Sequence, residues 1–519
     1  MPILGSIIKK AFELRNLPLE KKRLKLNPVV AQKKELAKLL KKAQFTAIGE
    51  HYRFSELLDS GNIQKSFEET VPVHNYQTIY KRWWYRSLNG ESYVTWPGKV
   101  RYFALSSGTS DASSKYIPIT SDMLSGIKQV SLRQLLSTTK VDFPTEFYET
   151  GILMIGGSTH LQYNGTYYEG DLSGITAGNI PFWFQHFYRP GRRISRTADW
   201  ATKLDELVKK APSWDIGIIV GVPAWVQILM ERIIKEYKVE TIHDIWPNLA
   251  VYVHSGVSIK PYLKRFENLM SKPMIYNESY LASEGYIAFQ SGTKAQGMEL
   301  VLDNGIYFEF IPFNNSNFDD EGNFRENPQT LTIGEIEEGV DYALLMSTNA
   351  GAWRYLLGDT VRFVDKAKSE IIISGRTSHF ISICGEHLSL ENMNRAIELL
   401  QDELDIDIKE FTVAGVNHDN LFAHKWFIGT DDELDGDNAS KLIDKYLKNL
   451  NDDYRVERME AIKQVCVNVL PSSVFYDYMK VSGKEGSANK FPRVLKNSRI
   501  KKWEDYLKEN NYSLNKVLP

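Results

Sequence analysis

Apolar and polar residues alternate with helical spacing through the first hundred residues of the chain. In residues 29–43, V-V-A-Q-K-K-E-L-A-K-L-L-K-K-A, apolar side chains recur near one face and lysines occupy the opposite face. The predicted apolar face comprises Val30, Leu36, Leu39, Leu40 and Ala43. This pattern predicts an amphipathic helix whose lysines are solvated. We expect residues 1–100 to be a largely helical lead-in.

From about Gly151 the pattern changes to short apolar runs separated by helical segments. Short apolar runs bounded by turn residues are typical of buried strands. Their alternation with helices predicts an α/β fold with at least partly parallel sheets. The predicted strands are 152–155, 216–220, 250–254, 274–276, 306–311 and 343–347, and helices are predicted at 224–237 and 260–269.

A smaller unit is predicted to begin after Gly375-Arg376. The run F-I-S-I-C-G at 380–385 is followed by a helical pattern at 390–404 and by two apolar runs, F-T-V-A-G-V and K-W-F-I-G-T. A second helical pattern at 439–450 and the run V-C-V-N-V-L complete a β-α-β-β-α-β order. We therefore divide the chain into a large N-terminal domain, residues 1–376, and a small α+β C-terminal lid domain, residues 377–519.

The composition of the chain limits the classes of molecule that we expect it to bind. The chain has 63 Lys and Arg against 65 Asp and Glu, a formal net charge of −2, and its lysines form no dense basic block, which argues against nucleic acid. No segment approaches the ~20 apolar residues that span a bilayer, and the first residues lack a signal-peptide pattern. Cys384 and Cys466 are too few for a disulfide framework and lack metal-ligand spacing. We expect a cytoplasmic protein without a nucleic-acid or membrane partner.

The first candidate site is the loop F-A-L-S-S-G-T-S-D-A-S-S-K, residues 103–115. It has too few glycines for a Walker loop, and its Lys115 is misplaced for that motif. By itself the loop fits a plain turn and a phosphate cradle equally well. In the second case, small residues let backbone N–H groups and hydroxyls approach an oxyanion while Lys115 adds positive charge.

Three further short motifs each have a structural and a functional interpretation. Glu284, in Y-L-A-S-E-G, follows a predicted strand, where it is either a surface carboxylate or a ligand for Mg²⁺. Asp359, in W-R-Y-L-L-G-D (R-Y-x-x-G-D), marks a turn or accepts hydrogen bonds from two vicinal hydroxyls, as on a ribose. Arg376, in S-G-R-T, sits in a sequence that also fits a hairpin turn.

The order of these motifs resembles the adenylate-forming superfamily, which includes acyl-CoA synthetases and luciferases. Within it the chain is most similar to the Gretchen Hagen family of acyl acid–amido synthetases, the auxin-responsive conjugating enzymes of plants and their bacterial relatives. The resemblance spans about residues 32–495. It is supported by V-P-V-H-N-Y at 71–76, W-P-G at 96–98, the loop at 103–110, Y-L-A-S-E-G at 280–285, L-N-D-D-Y-R-V-E-R and K-F-P-R-V-L at 490–495.

This resemblance implies a two-step ligase reaction. A carboxylic acid attacks the α-phosphate of ATP, pyrophosphate leaves, and the acyl-adenylate then passes its acyl group to an amine of an amino acid with release of AMP. The implied cosubstrate is ATP and the implied metal is Mg²⁺. The implied fold is the adenylate-forming one, with β-sheets flanked by helices and a mobile C-terminal domain. We expect a monomer or a weak dimer.

The resemblance also assigns residues by motif. Lys490, at the K-x-P-R position, or Lys484, in a glycine-flanked loop, is expected to reach the α-phosphate. The β- and γ-phosphates are assigned to Ser106, Ser107, Gly108, Thr109 and Ser110 with Lys115, and Mg²⁺ to Glu284. The adenine and ribose are assigned to Ser255, Gly256, Val257, Asp359 and Arg376, and the adenylate or acyl group to Tyr280 and Ser283.

Two positions depart from the family pattern. Ala112 stands where the family loop usually has Gly, and Leu356 stands where a second Arg is often seen. Neither change removes a group that the chemistry requires. Three alternatives stay open on the sequence alone: transfer of the acyl group to coenzyme A, a phosphotransferase that releases ADP, and a non-catalytic binding protein. The sequence identifies neither the acid nor the amine.

Overall fold

A computed structural model of the chain gives the fold. It describes residues 3–24, 26–106, 115–255, 259–292, 295–319, 322–377, 388, 390–418, 421–451, 454–455, 458, 462–482, 491–495 and 498–514. The helices in these ranges are α1 (Ile3–Leu24), α2 (Pro28–Ala43), α3 (Ala47–His51), α4 (Phe54–Leu58), α5 (Ile63–Thr70), α6 (Tyr76–Ile79), α7 (Tyr85–Leu88), α8 (Ser121–Ser137), α9 (Leu172–Gly178), α10 (Arg192–Ser195), α11 (Trp200–Lys210), α12 (Pro223–Tyr237), α13 (Leu263–Asn268), α14 (Leu390–Leu404), α15 (Gly436–Leu450), α16 (Ser473–Val481) and α17 (Ser498–Glu509). Short 3₁₀ segments include Thr145–Glu149 and Lys260–Tyr262.

The strands of the described ranges form three sheets. The strands are β1 (Tyr102–Ser106), β2 (Lys115–Ile119), β3 (Gly151–Met154), β4 (Gln162–Tyr163), β5 (Tyr168–Gly170), β6 (Tyr188–Arg189), β7 (Ile216–Gly221), β8 (Val251–Ser255), β9 (Ile275–Ala282), β10 (Gly285–Phe289), β11 (Met298–Leu300), β12 (Ile306–Pro312), β13 (Asp341–Thr348), β14 (Tyr355–Asp365), β15 (Glu370–Arg376), β16 (Ile408–His418), β17 (Leu421–Thr430) and β18 (Ile462–Leu470). Their orders are β2-β1-β5-β4, then β12-β13-β14-β15-β11-β10-β9-β8-β7-β3-β6, and β16-β17-β18.

The 11-stranded sheet has a parallel half and an antiparallel half. Strands β6, β3, β7, β8 and β9 pair in parallel, with α12 between β7 and β8 and α13 between β8 and β9. These crossovers are βαβ units, and Pro223 at the first position of α12 suits a helix start. From β9 onward the pairs are antiparallel through β10, β11, β15, β14, β13 and β12. The predicted α/β fold with partly parallel sheets is confirmed.

The helical lead-in packs on the antiparallel half. Leu36, Leu39, Leu40 and Ala43 of α2 are buried in the largest core cluster together with apolar residues of β10 to β14, so most of the predicted apolar face is confirmed. Val30 is the exception, because it lies exposed near the start of α2. The prediction placed it on the core face, but that face is covered only from the next residue, Ala31, onward.

The C-terminal part is a three-stranded sheet with helices on both faces. Helices α14 and α15 share one apolar cluster with β16, β17 and β18, while α16 and α17 contribute to a second cluster that contains Phe427, Phe475 and Trp503. The first strand predicted for this unit, at 380–385, lies outside the described residues. No helix in the described ranges is both long and apolar enough to cross a membrane.

Candidate active site

The candidate site lies at the carboxyl edge of the parallel strands. Strands β3, β7, β8 and β9 run in the same direction, so their last residues and the segments that follow them share this edge, where α/β sheets bind ligands. Ser255 is the final residue of β8 and is paired in register with Ser279 of β9. Ser283 and Glu284 form the two-residue connection between β9 and β10.

Tyr280, Asp359 and Arg376 form one hydrogen-bonded and ionic group. The Tyr280 hydroxyl donates to Asp359 Oδ2 at 2.5 Å, and Arg376 Nε lies 2.7 Å from Asp359 Oδ1. The Arg376 Nε–H is not aligned for a hydrogen bond at that oxygen, so this contact is an ion pair. Strand pairing positions it, because Asp359 of β14 and Arg376 of β15 are direct partners in the antiparallel register. The structure therefore brings three predicted site residues together.

Glu284 and Lys115 extend the group. Only 6% of Glu284 is exposed, and burial raises the pKa of its carboxyl to about 7, while the charge of Lys115 lowers this pKa and that of Asp359 raises it. Burial lowers the pKa of Lys115, and the carboxylate of Glu284 opposes that shift. These mutual effects place Lys115 among the acidic groups of the cluster. Two cations and two carboxylates thus balance one another, and of the four only Glu284 is fully buried while the others are half-buried.

Two tyrosines of the site were missed by the sequence interpretation. The Tyr355 phenol lies beside the carboxylate of Glu284, and burial together with that carboxylate raises the pKa of Tyr355. The ring of Tyr76 lies 5.5 Å from the Lys115 ammonium, and its hydroxyl accepts a hydrogen bond from the backbone N–H of Tyr116 at 2.9 Å. Both tyrosines lie inside motifs that carried the resemblance, R-Y-x-x-G-D and V-H-N-Y, and this was the available signal.

A buried arginine supports the cluster from behind. Arg354 is 4% exposed, and its Nε donates to Glu309 Oε1 at 3.0 Å. Its Nη1 donates to the carbonyl oxygens of Glu68 and Val71, both at 2.8 Å, and its Nη2 donates to Thr330 Oγ1 at 2.8 Å. All of its donor nitrogens are therefore engaged with neighbouring segments of the chain. Since Tyr355 is the next residue, these contacts fix the start of β14 beside Glu284.

The helical lead-in also contacts the start of β14, through His74. The backbone N–H of His74 donates to the Arg354 carbonyl, and the N–H of Leu356 donates to the His74 carbonyl, each at 2.8 Å. Two such bonds around Tyr355 make a short parallel bridge between the V-H-N-Y motif and β14. Leu356, where the family often has Arg, packs in an apolar cluster with Ile311 and Leu345.

Part of the predicted site falls outside the described residues. Ser107, Gly108, Thr109, Ser110, Gly256, Val257, Lys484 and Lys490 belong to this part, so their assignments stay predictions. Ser106 ends β1 and is the direct antiparallel partner of Lys115 at the start of β2. Ser106 and Lys115, which flank the Ser/Thr/Gly loop in the sequence, therefore lie side by side. In the described ranges, no three His, Cys, Asp or Glu residues form a group that could hold a metal ion.

Comparison with known proteins identifies the family. Family models match three parts of the chain: the GH3 family N-terminal domain at residues 20–160, the GH3 family central domain at 299–370 and the GH3 family C-terminal domain at 391–499. Together these matches cover more than half of the chain, and they run in the order of the motifs.

Curated relatives agree with this assignment at low identity. A jasmonoyl–L-amino acid synthetase of Nicotiana attenuata is 28% identical over 210 residues, 39% of this chain and 35% of that protein. An indole-3-acetic acid-amido synthetase of Arabidopsis thaliana is 23% identical over 277 residues, 50% of this chain and 46% of that protein. The aligned segments thus span about a third to a half of the length of these relatives.

Solved structures match over nearly the whole chain. The GH3.15 acyl acid amido synthetase has a TM-score of 0.76 at 17% identity, covering 97% of this chain and 98% of that one. A 2-hydroxyisobutyryl-CoA ligase in its postadenylation state has a TM-score of 0.59 at 12% identity, covering 93% and 92%. These likenesses confirm the predicted adenylate-forming fold with a C-terminal domain. With the three matched domains, they show that the chain belongs to the GH3 family, the Gretchen Hagen family that the motif order predicted.

Proposed function

We propose that this protein is an ATP-dependent ligase that activates a carboxylic acid as an acyl-adenylate and joins it to an amino acid through an amide bond. The observation that carries the proposal is the convergence of Lys115, Tyr280, Glu284, Asp359 and Arg376 in one cluster, in which Tyr280 and Glu284 are buried and the other three are half-buried. These residues come from four motifs spread over 262 positions of a GH3 family chain, and the relatives reported above are named as synthetases that join an acid to an amino acid.

In the first step, a carboxylate oxygen of the acid forms a bond to the α-phosphorus of ATP. The bond from that phosphorus to the bridging oxygen breaks, and pyrophosphate leaves with the electron pair. Because negative charge shifts between phosphate oxygens, fixed cations at the site stabilise the transition state. Lys115 and Arg376 are the half-buried cations of the described cluster, and Lys484 or Lys490 is the proposed cation at the α-phosphate.

In the second step, the amino group attacks the carbonyl carbon of the acyl-adenylate. A C–N bond forms, the bond to the phosphate oxygen breaks, and AMP leaves with the electron pair while the nitrogen loses a proton. Tyr280 and Ser283 at the end of β9 are proposed to border the adenylate or acyl group. Asp359 is proposed to hold the ribose, since each of its oxygens has one partner here and a carboxylate oxygen accepts more than one hydrogen bond.

The phosphate-binding assignment rests on strand register. Ser106 is paired in register with Lys115 across β1 and β2, so the described residue before the loop lies at the cluster. We propose that Ser106, Ser107, Gly108, Thr109 and Ser110 bind the β- and γ-phosphates. Ser255, Gly256 and Val257 are proposed to border the adenine, because Ser255 ends β8 at the same edge.

Mg²⁺ is the metal that this site fits. Glu284 offers a carboxylate whose ionised form is disfavoured by burial, and a bound cation would compensate for that cost. Mg²⁺ is commonly held by one or two carboxylates together with substrate phosphates, so a single Glu is sufficient. When bound, the ion would neutralise phosphate charge during pyrophosphate departure. The residue proposed to hold it is Glu284.

Product analysis tests the proposed reaction. The protein is incubated with ATP, Mg²⁺, a panel of carboxylic acids and amino acids, and nucleotides and pyrophosphate are quantified. We expect AMP, pyrophosphate and an amide in equal amounts. ADP as the nucleotide product would support a phosphotransferase, and a thioester formed with added coenzyme A in place of an amide would support an acyl-CoA synthetase. Either result would overturn the proposal.

We also propose the domain division and the location that the sequence predicts. The division is residues 1–376, an adenylation domain, and 377–519, a mobile lid, and strand β15 ends at Arg376. A cytoplasmic location is proposed because the chain has only two cysteines, Cys384 and Cys466, which are too few for the disulfide framework of a secreted protein. Limited proteolysis with mass mapping of the fragments would test the boundary, and a primary cleavage site inside β14 or β15 would contradict it.

A further inference from the structure

Helix α1 is attached to the protein along one face. The backbone N–H of Gly5 donates to Glu149 Oε1 at 2.5 Å, Lys9 Nζ lies 2.6 Å from Asp142 Oδ1, and Asn16 Nδ2 donates to Thr139 Oγ1 at 3.1 Å. Near the end of the helix, Arg23 Nη1 donates to Glu299 Oε2 at 2.5 Å. Residues 5, 9, 16 and 23 are separated by whole turns, so these contacts fix which side of α1 faces outward.

The outward side carries a stripe of large apolar side chains. Leu4, Ile7, Leu14 and Leu17 are 56%, 59%, 61% and 56% exposed, and the small Ala11 between them is exposed as well. Single exposed apolar residues are ordinary on a protein surface, but four on one helix face at spacings of three and seven form a continuous seam. Such a seam is typical of a helix that pairs with another helix.

The charges beside the stripe are self-complementary. Lys10 and Glu13 are both exposed and lie on the same edge of the stripe, one turn apart. When two such helices pair antiparallel, the same edge of each helix faces the other. Lys10 then meets the partner's Glu13, and Glu13 meets the partner's Lys10. A parallel pair would set this edge against the opposite edge of the partner helix, so it would not form these two charge pairs.

The apolar residues satisfy the same arrangement. With the two-fold axis between residues 10 and 11, Leu4 lies opposite the partner's Leu17 and Ile7 lies opposite the partner's Leu14. Ala11 lies beside the axis, where a small side chain lets the helices approach. The same patch therefore serves both copies, as a closed two-fold dimer requires.

We propose that α1 pairs antiparallel with α1 of a second copy of this chain, through the seam Leu4, Ile7, Ala11, Leu14 and Leu17. The seam is about four turns long. The area that two copies would bury along it is smaller than that of a standard interface, about 1,600 Å². The dimer is therefore weak and forms in the micromolar range. An anionic membrane is the alternative occupant of an apolar stripe with basic neighbours, but the acidic Glu13 on the edge of the stripe opposes it.

Sedimentation velocity of the full chain, from low micromolar to several hundred micromolar protein, tests the dimer. We expect a monomer–dimer equilibrium that Leu14→Glu and Ile7→Glu shift at least tenfold toward monomer. The matched control is Phe45→Glu, which places the same charge at another exposed apolar residue, outside α1, and leaves the equilibrium unchanged. A monomer over the whole range, or a dimer insensitive to Leu14→Glu, would overturn the proposal.

Charge exchange and cross-linking test the orientation. Lys10→Glu is expected to weaken the dimer severalfold, and the double variant Lys10→Glu/Glu13→Lys is expected to restore it. Under mild oxidation Ala11→Cys should form a disulfide-linked dimer, whereas Leu4→Cys should not, because the two copies of position 4 lie at opposite ends of the seam. Unmodified protein under the same oxidation is the control. Cross-linking through position 4 would contradict the antiparallel pair, and flotation of monomer with phosphatidylserine vesicles would assign the stripe to a membrane.

Discussion

At the scale of single residues, Asp359 is held by two partners before any ligand arrives. Tyr280 donates to one carboxylate oxygen and Arg376 faces the other. A carboxylate fixed on both sides loses little freedom when it accepts hydrogen bonds from a ribose, so orientation precedes binding. The pKa of Tyr280 is raised by burial and by Asp359, which keeps its hydroxyl protonated and able to donate.

Tyr280→Phe tests this fixation. Removing a hydrogen bond to a charged group costs about 1.5–3 kcal/mol, so we expect the KM for ATP in pyrophosphate release to rise roughly 10- to 100-fold. Tyr276→Phe, on the same strand, should leave this KM unchanged. Thermal unfolding of both variants is the structural control. An unchanged KM in Tyr280→Phe would show that Asp359 does not depend on this bond.

Glu284 is kept in the site at the expense of stability. Its folded pKa of about 7 lies above the ordinary value of 4.5, so the folded state binds the proton more tightly than the unfolded state. Stability is therefore full below about pH 4.5 and falls as the pH rises through 7. Glu284→Gln resembles the protonated form and should raise the unfolding free energy of the ligand-free protein by about 2 kcal/mol at pH 8. The gain should vanish at pH 4.5.

The same variant should lose the first chemical step, because an amide is a poor ligand for Mg²⁺. Urea unfolding at the two pH values measures the first effect, and pyrophosphate release with Mg²⁺ present measures the second. A variant that releases pyrophosphate at the original rate would show that Glu284 is not the metal ligand. A variant that is less stable at pH 8 would contradict the cost assigned to the buried carboxylate.

At the scale of elements, the sequence predicts the positions of strands better than it predicts the contacts between distant elements. The runs at 216–220 and 306–311 correspond to β7 and β12 because continuous Ile, Val and Phe residues are buried on both faces of a sheet. The run at 274–276 is only the start of β9, which continues through polar N-E-S to Ala282 because β8 and β10 pair with it on both sides. Helices α16 and α17 were not predicted.

Contacts between distant elements explain the missed tyrosines. In the sequence Tyr355 looks like one more apolar residue of a strand. Nothing nearby in the sequence indicates that its hydroxyl lies beside Glu284, which is 71 positions earlier. Lys115, Glu284, Asp359 and Arg376 were found because each lies in a motif of recognisable order. Arg354 lies in the same motif as Tyr355. Its supporting contacts are with Glu309 and Thr330, which belong to no recognised motif, so the sequence did not predict them.

Arg354→Lys tests whether the contacts of Arg354 support the start of β14 and, through it, the site. A lysine keeps the charge but cannot reach four acceptors in a planar fork, so buried donors and acceptors lose their partners. We expect a loss of about 3 kcal/mol in urea unfolding and a fall in the rate of pyrophosphate release. Arg362→Lys, on the strand that Arg354 directly precedes, is the matched control, since its pair with Asp341 is partly exposed and should contribute less than about 1 kcal/mol. Equal losses in the two variants would contradict the support role.

At the scale of the whole molecule, a buried contact joins the C-terminal part to the large sheet region. Arg493 donates to Glu410 Oε2 at 2.5 Å and to the Phe411 carbonyl at 2.9 Å, and its guanidinium lies 4.5 Å from the Phe411 ring centroid. Arg493 also lies beside the phenol of Tyr262, whose pKa its charge lowers against the effect of burial; Tyr262 follows β8 in the large region and is almost fully buried. Lys264, two residues further on, pairs with Asp405, but both of these side chains are exposed.

Tyr262→Phe should loosen this junction while it preserves the packing of the ring. A polar contact with a guanidinium that is largely shielded from water contributes about 1.5–3 kcal/mol, so the loss of the phenol oxygen should shift hydrogen exchange of residues 408–418 and 491–495 toward faster rates. Lys264→Ala is the matched control. Its exposed pair should contribute at most about 1 kcal/mol, and that contribution should disappear in high salt because mobile ions screen exposed charges. If Lys264→Ala loosened the junction more than Tyr262→Phe at high salt, the buried contact would not be what holds the two parts together.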